Sequence, residues 1–330
     1  MQIQPLEAPD CGLNCGLIRS SAFKRSLHVA GLSGTELESL FRADRTRPDW
    51  ATVAARGIIR IHCDEDGEAA ADAAVPAYEV EHLDGGEARL SSGEPGQARL
   101  KADPCSDDRL LPGPLNLLLA QQWARQGLIP LHAAALRWRD QGLLVLGDRA
   151  AGKSSLILAA LEQGAQVISD DWLLVGHCNG EARAERLREF LMFRTGATWD
   201  RFGPAINERM AFDQTSDGRF LHAISTEDHE TLFPVWTGLD RCLLLHTPAS
   251  TRPRTTRLAA TDHSSVLAQL IEAAMPILMT TRFPLERERL FERFHALVSG
   301  LPTVSAVTGF DLTTRPGAVL DRLVGDELHR

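Results

Sequence analysis

Residues Gly142 to Asp171 read GLLVLGDRAAGKSSLILAALEQGAQVISDD, and the order of elements in this segment indicates the fold class. Gly142 to Leu146 is a short apolar run, typical of strands that are buried on both faces. A glycine-rich loop follows at once, then a segment of helical composition from Leu156 to Gln163, then a second buried strand from Gln166 to Ser169. This order predicts an α/β fold in which neighbouring parallel strands are joined by a right-handed crossover.

The loop between the first strand and the helix reads GDRAAGKS and matches the phosphate-binding pattern G-x-x-x-x-G-K-S without a mismatch. Its glycines let successive backbone N–H groups converge on phosphate oxygens, beside the positive N-terminus of the helix. Lys153 would reach the β and γ phosphates, and the Ser154 hydroxyl would bind Mg²⁺. The predicted nucleotide-binding residues are Gly147, Asp148, Arg149, Ala150, Ala151, Gly152, Lys153, Ser154 and Ser155.

Two adjacent acids, Asp170 and Asp171, follow the second strand. Carboxylates at this position would lie at the C-terminal edge of the sheet, where open α/β sheets bind their ligands. Two acids allow a division of labour between a metal holder and a base that takes a proton from an acceptor hydroxyl. The alternative is that they begin a turn, a position that aspartate favours.

The composition limits the class of protein. The chain has 330 residues, 44% hydrophobic and 24% charged, which is enough for one or two globular domains. Its net charge of -9 gives no positive field for nucleic acid or for an anionic membrane, so neither partner is expected. Because the chain begins with no signal-like segment and carries no long apolar run, we expect a cytoplasmic protein.

The pattern along the chain predicts two domains. Proline residues near Pro112 mark a boundary between an N-terminal α+β segment, residues 1–112, and a catalytic domain, residues 113–330. In the first we predict a helix from Gly34 to Phe41, a strand from Ile58 to His62, and a hairpin that turns at residues 84–86. In the second, beyond the segments already described, we predict helices at Leu115–Gln126, Ser264–Ala274, Pro284–Val298 and Pro316–Val324, strands at His132–Trp138 and Cys242–His246, and an edge strand at Thr303–Thr308.

The stretch from His132 to Val175 resembles the catalytic core of the HPr kinase/phosphorylase family. The likeness is carried by a histidine upstream of the loop, by Gly147-Asp148 at the loop's start, by Gly152-Lys153-Ser154 at its end, and by the paired acids after the next strand. It implies a P-loop kinase core related to the phosphoenolpyruvate carboxykinase fold, the use of ATP and Mg²⁺, and a homo-oligomeric assembly.

The resemblance also implies roles for particular residues. Asp170 would be the carboxylate that activates an acceptor serine, assisted by His132, while Lys153 grips the phosphates. Asp171 and Ser154 would hold Mg²⁺. The N-terminal segment is unlike that of the family, and LREFLMFRTG, from Leu187 to Gly196, stands where the family has a glycine-rich signature.

Three functions are compatible with these residues. The first is a kinase that phosphorylates a serine or related hydroxyl of a protein or peptide. The second is a kinase whose acceptor is a small metabolite, and the third is a non-catalytic module that binds a partner in response to nucleotide. For a kinase, Arg188, Arg194 and Arg252 are candidates to stabilise the transferring phosphoryl group, since guanidinium matches phosphate oxygens.

Overall fold

The computed structural model describes the chain in segments. These are residues 2–6, 15–30, 32–39, 60–63, 78–83, 87–92, 98–100, 119–120, 123–124, 126–148, 150–215, 218–225, 231–248, 253–275 and 284–325. The chain forms two compact units, Met1–Gly127 and Leu128–Arg330. The boundary predicted near Pro112 lies outside the described residues.

The described strands of the first unit form two antiparallel sheets. The first has four strands in the order β1, β2, β3, β4, which are Gln2–Leu6, Cys15–Arg19, Ser26–Ala30 and Arg60–Cys63. The second has three strands in the order β5, β6, β7, which are Tyr78–Leu83, Glu87–Ser92 and Ala98–Leu100. The predicted hairpin is confirmed, because Leu83 of β5 pairs with Glu87 of β6; its turn residues lie outside the described part.

A short helix, α1, spans Gly34–Ser39 in this unit. Ser33 begins it with a capping box: the Glu36 N–H donates to Ser33 Oγ, and the Ser33 N–H donates to Glu36 Oε2. The predicted helix and strand of this unit are thus confirmed in place, although residues 40–41 and 58–59 are not described. Of the helix predicted over Leu115–Gln126, residues 119–120 and 123–124 are helical.

The second unit contains the remaining strands and helices. Its strands are β8 Ile129–His132, β9 Ala134–Trp138, β10 Gln141–Gly147, β11 Gln166–Ser169, β12 Trp172–Cys178, β13 Glu181–Arg186, β14 Phe190–Arg194, β15 Asp213–Gln214, β16 Arg219–Ala223, β17 Trp236–Gly238, β18 Arg241–Leu245, β19 Arg257–Ala260 and β20 Thr303–Val307. Its helices are α2 Lys153–Glu162, α3 Ala197–Asn207, α4 His263–Ala273, α5 Pro284–Gly300, α6 Asp311–Thr314 and α7 Pro316–Val324. The fold is therefore mixed α/β.

The main sheet has six strands in the order β11, β9, β10, β18, β20, β19. Strands β10, β18 and β20 are parallel, and β9 runs antiparallel to both β10 and β11. The prediction that β10 and β11 are neighbours is therefore wrong: they point the same way, but β9 lies between them. The cause is a tight β9–β10 hairpin, whose turn residues Arg139 and Asp140 have φ of 47° and 66°.

Two further predictions need correction. The single strand predicted over His132–Trp138 is two strands, β8 and β9, which belong to different sheets and are separated by Ala133. The strand at Thr303 is present as β20 but is not at the edge, because β19 pairs with it from outside. The strand at Cys242 and the helices at Ser264, Pro284 and Pro316 are confirmed as β18, α4, α5 and α7.

Helix α2 is the centre of the apolar core. All residues from Leu156 to Leu161 are buried, and they pack with residues of the main sheet and of helices α3 and α7. Burial of each large aliphatic side chain contributes about 1.5–3 kcal/mol. Two smaller sheets complete the unit: β17, β13, β12, β8 in that order, and β14, β16, β15. Among the described residues, no helix has the length and apolar character that a bilayer crossing requires.

Candidate functional site

A cavity of about 770 Å³ opens at the C-terminal ends of β10 and β11. This volume is within the usual range for sites that bind small molecules. Its lining combines the glycine-rich loop, the paired acids and the segment around β14: His132, Asp148, Ala150, Gly152, Lys153, Ser154, Ser155, Leu158, Asp170, Asp171, Met192, Phe193, Arg194, Thr195, Gly196, Ala197, Thr198 and Arg219.

The loop backbone requires glycine at two positions. Gly147 has φ of +146°, and a Cβ added there would meet the Leu245 carbonyl oxygen at 2.4 Å. Gly152 has φ of +106°, and a Cβ there would lie 3.0 Å from Thr308 Oγ1. Both conformations are ones that other residues rarely adopt. The glycines of the motif therefore allow the chain to leave β10, turn, and enter α2 close to the neighbouring strands.

The N-terminus of α2 faces the cavity. Among the described residues no side chain caps this end, where Gly152 occupies the N-cap in a left-handed conformation. The first-turn amides of a helix have no partner within the helix and carry a partial positive charge. Beside them, Ser155 Oγ lies 3.0 Å from Thr198 Oγ1 at the start of α3. This end of the cavity is suited to an anion.

Lys153 lies across the loop. Its ammonium donates hydrogen bonds to the Gly147 carbonyl oxygen and, over 3.2 Å, to that of Asp148. Burial lowers the pKa of Lys153, while the charges of Asp171 and Asp148 act to raise it. Asp148 in turn accepts a hydrogen bond of 2.7 Å from the Gln269 side chain of α4. The lysine therefore holds the loop closed and can exchange its carbonyl partners for phosphate oxygens.

Asp170 is in an environment that favours its protonated form. Burial and the neighbouring charge of Asp171 raise the pKa of Asp170 from 3.8 to about 7. Its Oδ2 accepts a hydrogen bond of 3.0 Å from the Met192 backbone N–H on β14. A carboxylate of this kind can both accept and release a proton near neutral pH.

Asp171 is in the opposite environment. Its Oδ1 lies 2.5 Å from His132 Nε2, and its Oδ2 accepts a hydrogen bond of 2.7 Å from Arg188. Burial alone would raise the pKa of Asp171, but the hydrogen bond from His132 and the charges of Arg188 and Lys153 outweigh it and lower the pKa. Asp171 is therefore the anion of the pair.

Strand pairing explains why His132 is next to the acids. His132 is the last residue of β8 and pairs with Trp172, the first residue of β12, which directly follows Asp171. Their rings lie 5.8 Å apart. The predicted site residues His132, Lys153, Ser154, Asp170 and Asp171 thus line one cavity, with His132 in contact with Asp171. Arg149 and Arg252 are not among the described residues.

Nothing in the sequence indicated that Met192, Thr198 and Arg219 line the cavity. Of the predicted candidate arginines, Arg194 lines the cavity and Arg188 is the partner of Asp171. The signal available was the segment LREFLMFRTG after the paired acids, whose short apolar run FLMF is bounded by polar residues and a glycine. That run could have predicted the strand β14.

The donor set fits a magnesium ion that arrives with phosphates. The described residues contain no cluster of three His, Cys, Asp or Glu that could hold a metal by themselves. Mg²⁺ is usually bound through one or two carboxylates, waters and substrate phosphates rather than by an all-protein cage. The Ser154 hydroxyl and the Asp171 carboxylate both line the cavity, and each carboxylate oxygen keeps a second lone pair beside its present partner.

The chain matches no protein-family model and no curated protein. Among solved structures it is similar to the HPr(Ser) kinase/phosphatase from Coxiella burnetii, with 11% sequence identity and a TM-score of 0.30. The alignment covers 59% of this chain and 99% of that one. A TM-score of this size indicates neither a shared fold nor a shared function.

Proposed function

We propose that this protein is an ATP- and Mg²⁺-dependent kinase that transfers the γ-phosphoryl group to a serine or related hydroxyl of a protein or peptide. One observation carries the proposal: the phosphate-binding loop and the high-pKa carboxylate Asp170 line the same cavity. A phosphate loop alone would suit any nucleotide-binding protein. A half-buried acid whose pKa lies near neutral pH would supply, beside the loop, the base that a hydroxyl acceptor needs.

The loop side would bind the nucleotide. Backbone N–H groups from residues 150–155 and the N-terminus of α2 would contact the phosphate oxygens, and Lys153 would contact the β and γ phosphates. Ser154 and Asp171 would hold Mg²⁺, which when bound neutralises charge on the β and γ phosphates. His132 and Arg188, which contact Asp171, and Lys153, which donates to the loop carbonyl oxygens, would keep this geometry fixed before substrate arrives.

The acid side would carry out the proton transfer. The acceptor oxygen forms a bond to the γ phosphorus while the bond from that phosphorus to the β–γ bridging oxygen breaks, and ADP leaves with the electron pair. The hydroxyl proton moves to Asp170, whose pKa of about 7 suits this exchange at neutral pH. His132 contacts Asp171, so it would act as a positioning residue for the metal-binding carboxylate.

Asp170→Asn provides the test. The asparagine side chain can still accept the Met192 hydrogen bond but cannot take a proton, so phosphoryl transfer should fall by about 10³-fold while ATP affinity stays within about twofold. Transfer from γ-labelled ATP to a peptide or lysate acceptor is measured alongside ATP binding. Asp140→Asn is the matched control, because Asp140 lies exposed in the β9–β10 turn.

Three outcomes separate the functions considered. Transfer that is unchanged in Asp170→Asn contradicts the role of this residue. Transfer to a protein-free metabolite pool, with none to protein or peptide, would identify a small-molecule kinase. ATP binding without transfer to any acceptor would leave a nucleotide-responsive binding module.

A further inference from the structure

Three acids surround the ammonium of Lys153. The charges of Asp171, Asp148 and Glu272 each act to raise its pKa, so all three lie close enough to attract it. A carboxylate is a stronger partner for an ammonium than a carbonyl oxygen is. Within the described part of the chain, however, the lysine donates to the carbonyl oxygens of Gly147 and Asp148 and to no carboxylate. Lys153 therefore keeps partners that phosphate oxygens can displace.

Each of these acids is held by a donor other than the lysine. Asp171 contacts His132 and Arg188 on the acid side of the cavity. The remaining two acids share a single donor, which lies on helix α4. Removal of that donor would free both acids to move toward the ammonium.

The shared donor is the side-chain amide of Gln269. Its Nε2 donates a hydrogen bond of 2.7 Å to Asp148 Oδ1 and one of 2.9 Å to Glu272 Oε2. An amide nitrogen carries two hydrogens, so both are used. Gln269 and Glu272 are three residues apart on α4, which makes them neighbours on the helix surface. Glu272 thus orients the amide, whose second hydrogen binds the loop.

Asp148 is the acid best placed to reach the lysine. Its own carbonyl oxygen already accepts a hydrogen bond of 3.2 Å from Lys153. Asp148 is exposed, so rotation about χ1 can move its carboxylate from one staggered position to another. An ion pair between Asp148 and Lys153 would then compete with the phosphates of ATP for the same ammonium.

We propose that Gln269 is a positioning residue that holds the Asp148 carboxylate toward α4 and thereby keeps Lys153 available for phosphate. This deepens the proposed function and rests on it, because it concerns the binding of ATP by the loop. Gln269 acts through Asp148 and needs no contact with the nucleotide. Its loss should therefore raise the KM for ATP while kcat, which depends on Asp170, stays within about twofold.

The test is calorimetric titration of the full chain with Mg²⁺ and a non-hydrolysable ATP analogue. We expect Gln269→Ala to weaken binding by about fivefold, a modest loss because the competing ion pair is partly exposed. Asp148→Asn introduced into Gln269→Ala should restore the affinity to within about twofold of the wild type, since asparagine has no charge that could pair with Lys153. Steady-state transfer assays on the same variants separate KM from kcat.

Gln166→Ala is the matched control. Gln166 also donates its side-chain amide, to the Thr231 carbonyl oxygen, but it lies at the start of β11, at the opposite end of that strand from the cavity. This variant should bind the analogue as tightly as the wild type. Gln269 is partly exposed on a helix, where alanine is favourable, so Gln269→Ala should fold. Thermal melts check each variant.

The opposing results are distinct. If Gln269→Ala binds the analogue as tightly as the wild type, the inference is overturned while the kinase proposal stands. A loss that Asp148→Asn does not restore, or one confined to kcat, would also overturn it, because Gln269 would then act by another route. Absence of any binding of the analogue to the wild type would contradict the kinase proposal itself.

Discussion

The two sides of the cavity are built in different ways. The phosphate side is one continuous segment, from the end of β10 through the loop into α2, and its shape depends on backbone conformation at Gly147 and Gly152. The acid side is assembled from segments far apart in the chain. His132, Asp171 and Arg188 meet there, and Met192 contacts Asp170. A local segment can keep its form through its own sequence, whereas an assembled cluster depends on strand pairing.

The two sides of the cavity also differ in the charges that they present. The phosphate side presents amides and one lysine toward an anion. The acid side holds two neighbouring carboxylates in opposite states, because Asp170 is buried against the charge of Asp171 while Asp171 contacts His132 and Arg188. Asp170 is thereby able to accept a proton, whereas Asp171 stays ionised. Substitutions on the two sides should therefore have different effects on the protein.

The largest effect on stability is expected on the phosphate side, from Gly147→Ala. Its Cβ would approach the Leu245 carbonyl oxygen, which is backbone and cannot move freely. We expect the free energy of unfolding to fall by about 2–4 kcal/mol and ATP affinity to fall by at least about tenfold. Chemical denaturation and calorimetry measure the two effects.

Gly180→Ala separates steric overlap from backbone strain. Gly180 also has a positive φ, +82°, but nothing lies within 4 Å of the position of its Cβ. This variant should lose only about 1 kcal/mol and should retain ATP affinity. Equal losses in the two variants would mean that the close approach to β18 does not constrain the loop.

On the acid side, Asp170→Asn and Asp171→Asn should change stability in opposite directions at neutral pH. The folded-state pKa of Asp170 is raised by burial and by Asp171 to about 7, above the value of 3.8 that holds when unfolded. The folded chain therefore retains a proton that the unfolded chain loses, and stability falls as the pH rises from 3.8 to about 7. Asp170→Asn removes this cost and should be more stable than the wild type by about 2 kcal/mol at pH 8.

The contribution of Asp171 to stability depends on pH in the opposite direction. Its folded-state pKa is lowered by His132 and Arg188 against the effect of burial, so its carboxylate stabilises the fold above its unfolded pKa and loses that effect as the pH falls through the lowered value. Asp171→Asn should destabilise the protein by about 1 kcal/mol at pH 8. Thermal melts of both variants between pH 5 and pH 8 test the pair. Shifts of the same sign would contradict the assignment of opposite environments.

A smaller effect is expected from Arg188→Gln, which removes a positive charge from the acid side. Arg188 acts to lower the pKa of both Asp170 and Asp171, so its loss should raise them. The acid limb of the kcat/KM profile should move to higher pH by less than about one unit. The same substitution at Arg201, outside the cavity, should leave the profile in place.

The difference between the continuous phosphate side and the assembled acid side also explains what could be predicted from the sequence. Strand β10, helix α2, strand β11 and the loop between them follow from apolar runs and glycines within one short segment. The insertion of β9 between β10 and β11 was missed because its turn uses Arg139 and Asp140, which lack the glycine typical of tight hairpins. A single apolar stretch around Ala133 likewise gives no sign that the chain passes from one sheet to another.

For the same reason, the sequence could not predict which side chains contact each other across the site. His132 could be proposed only through a family resemblance, and its contact with Asp171 depends on the pairing of β8 with β12. Arg188 was one of several suitable arginines, and no pattern in the sequence shows that it is the one that donates a hydrogen bond to Asp171. These contacts join residues that no local periodicity relates.

We expect the loop from Gly147 to Ser155 to bind a nucleoside triphosphate beside Asp170, and the kinase proposal depends on this claim. Its most direct test is calorimetric titration of Mg²⁺·ATP into the wild type, Lys153→Ala and the control Arg201→Gln. We predict binding by the wild type and the control with equal affinity, and binding about 100-fold weaker in Lys153→Ala, since a charge-assisted contact to phosphate is lost. No binding by the wild type, or equal binding by Lys153→Ala, would contradict the claim.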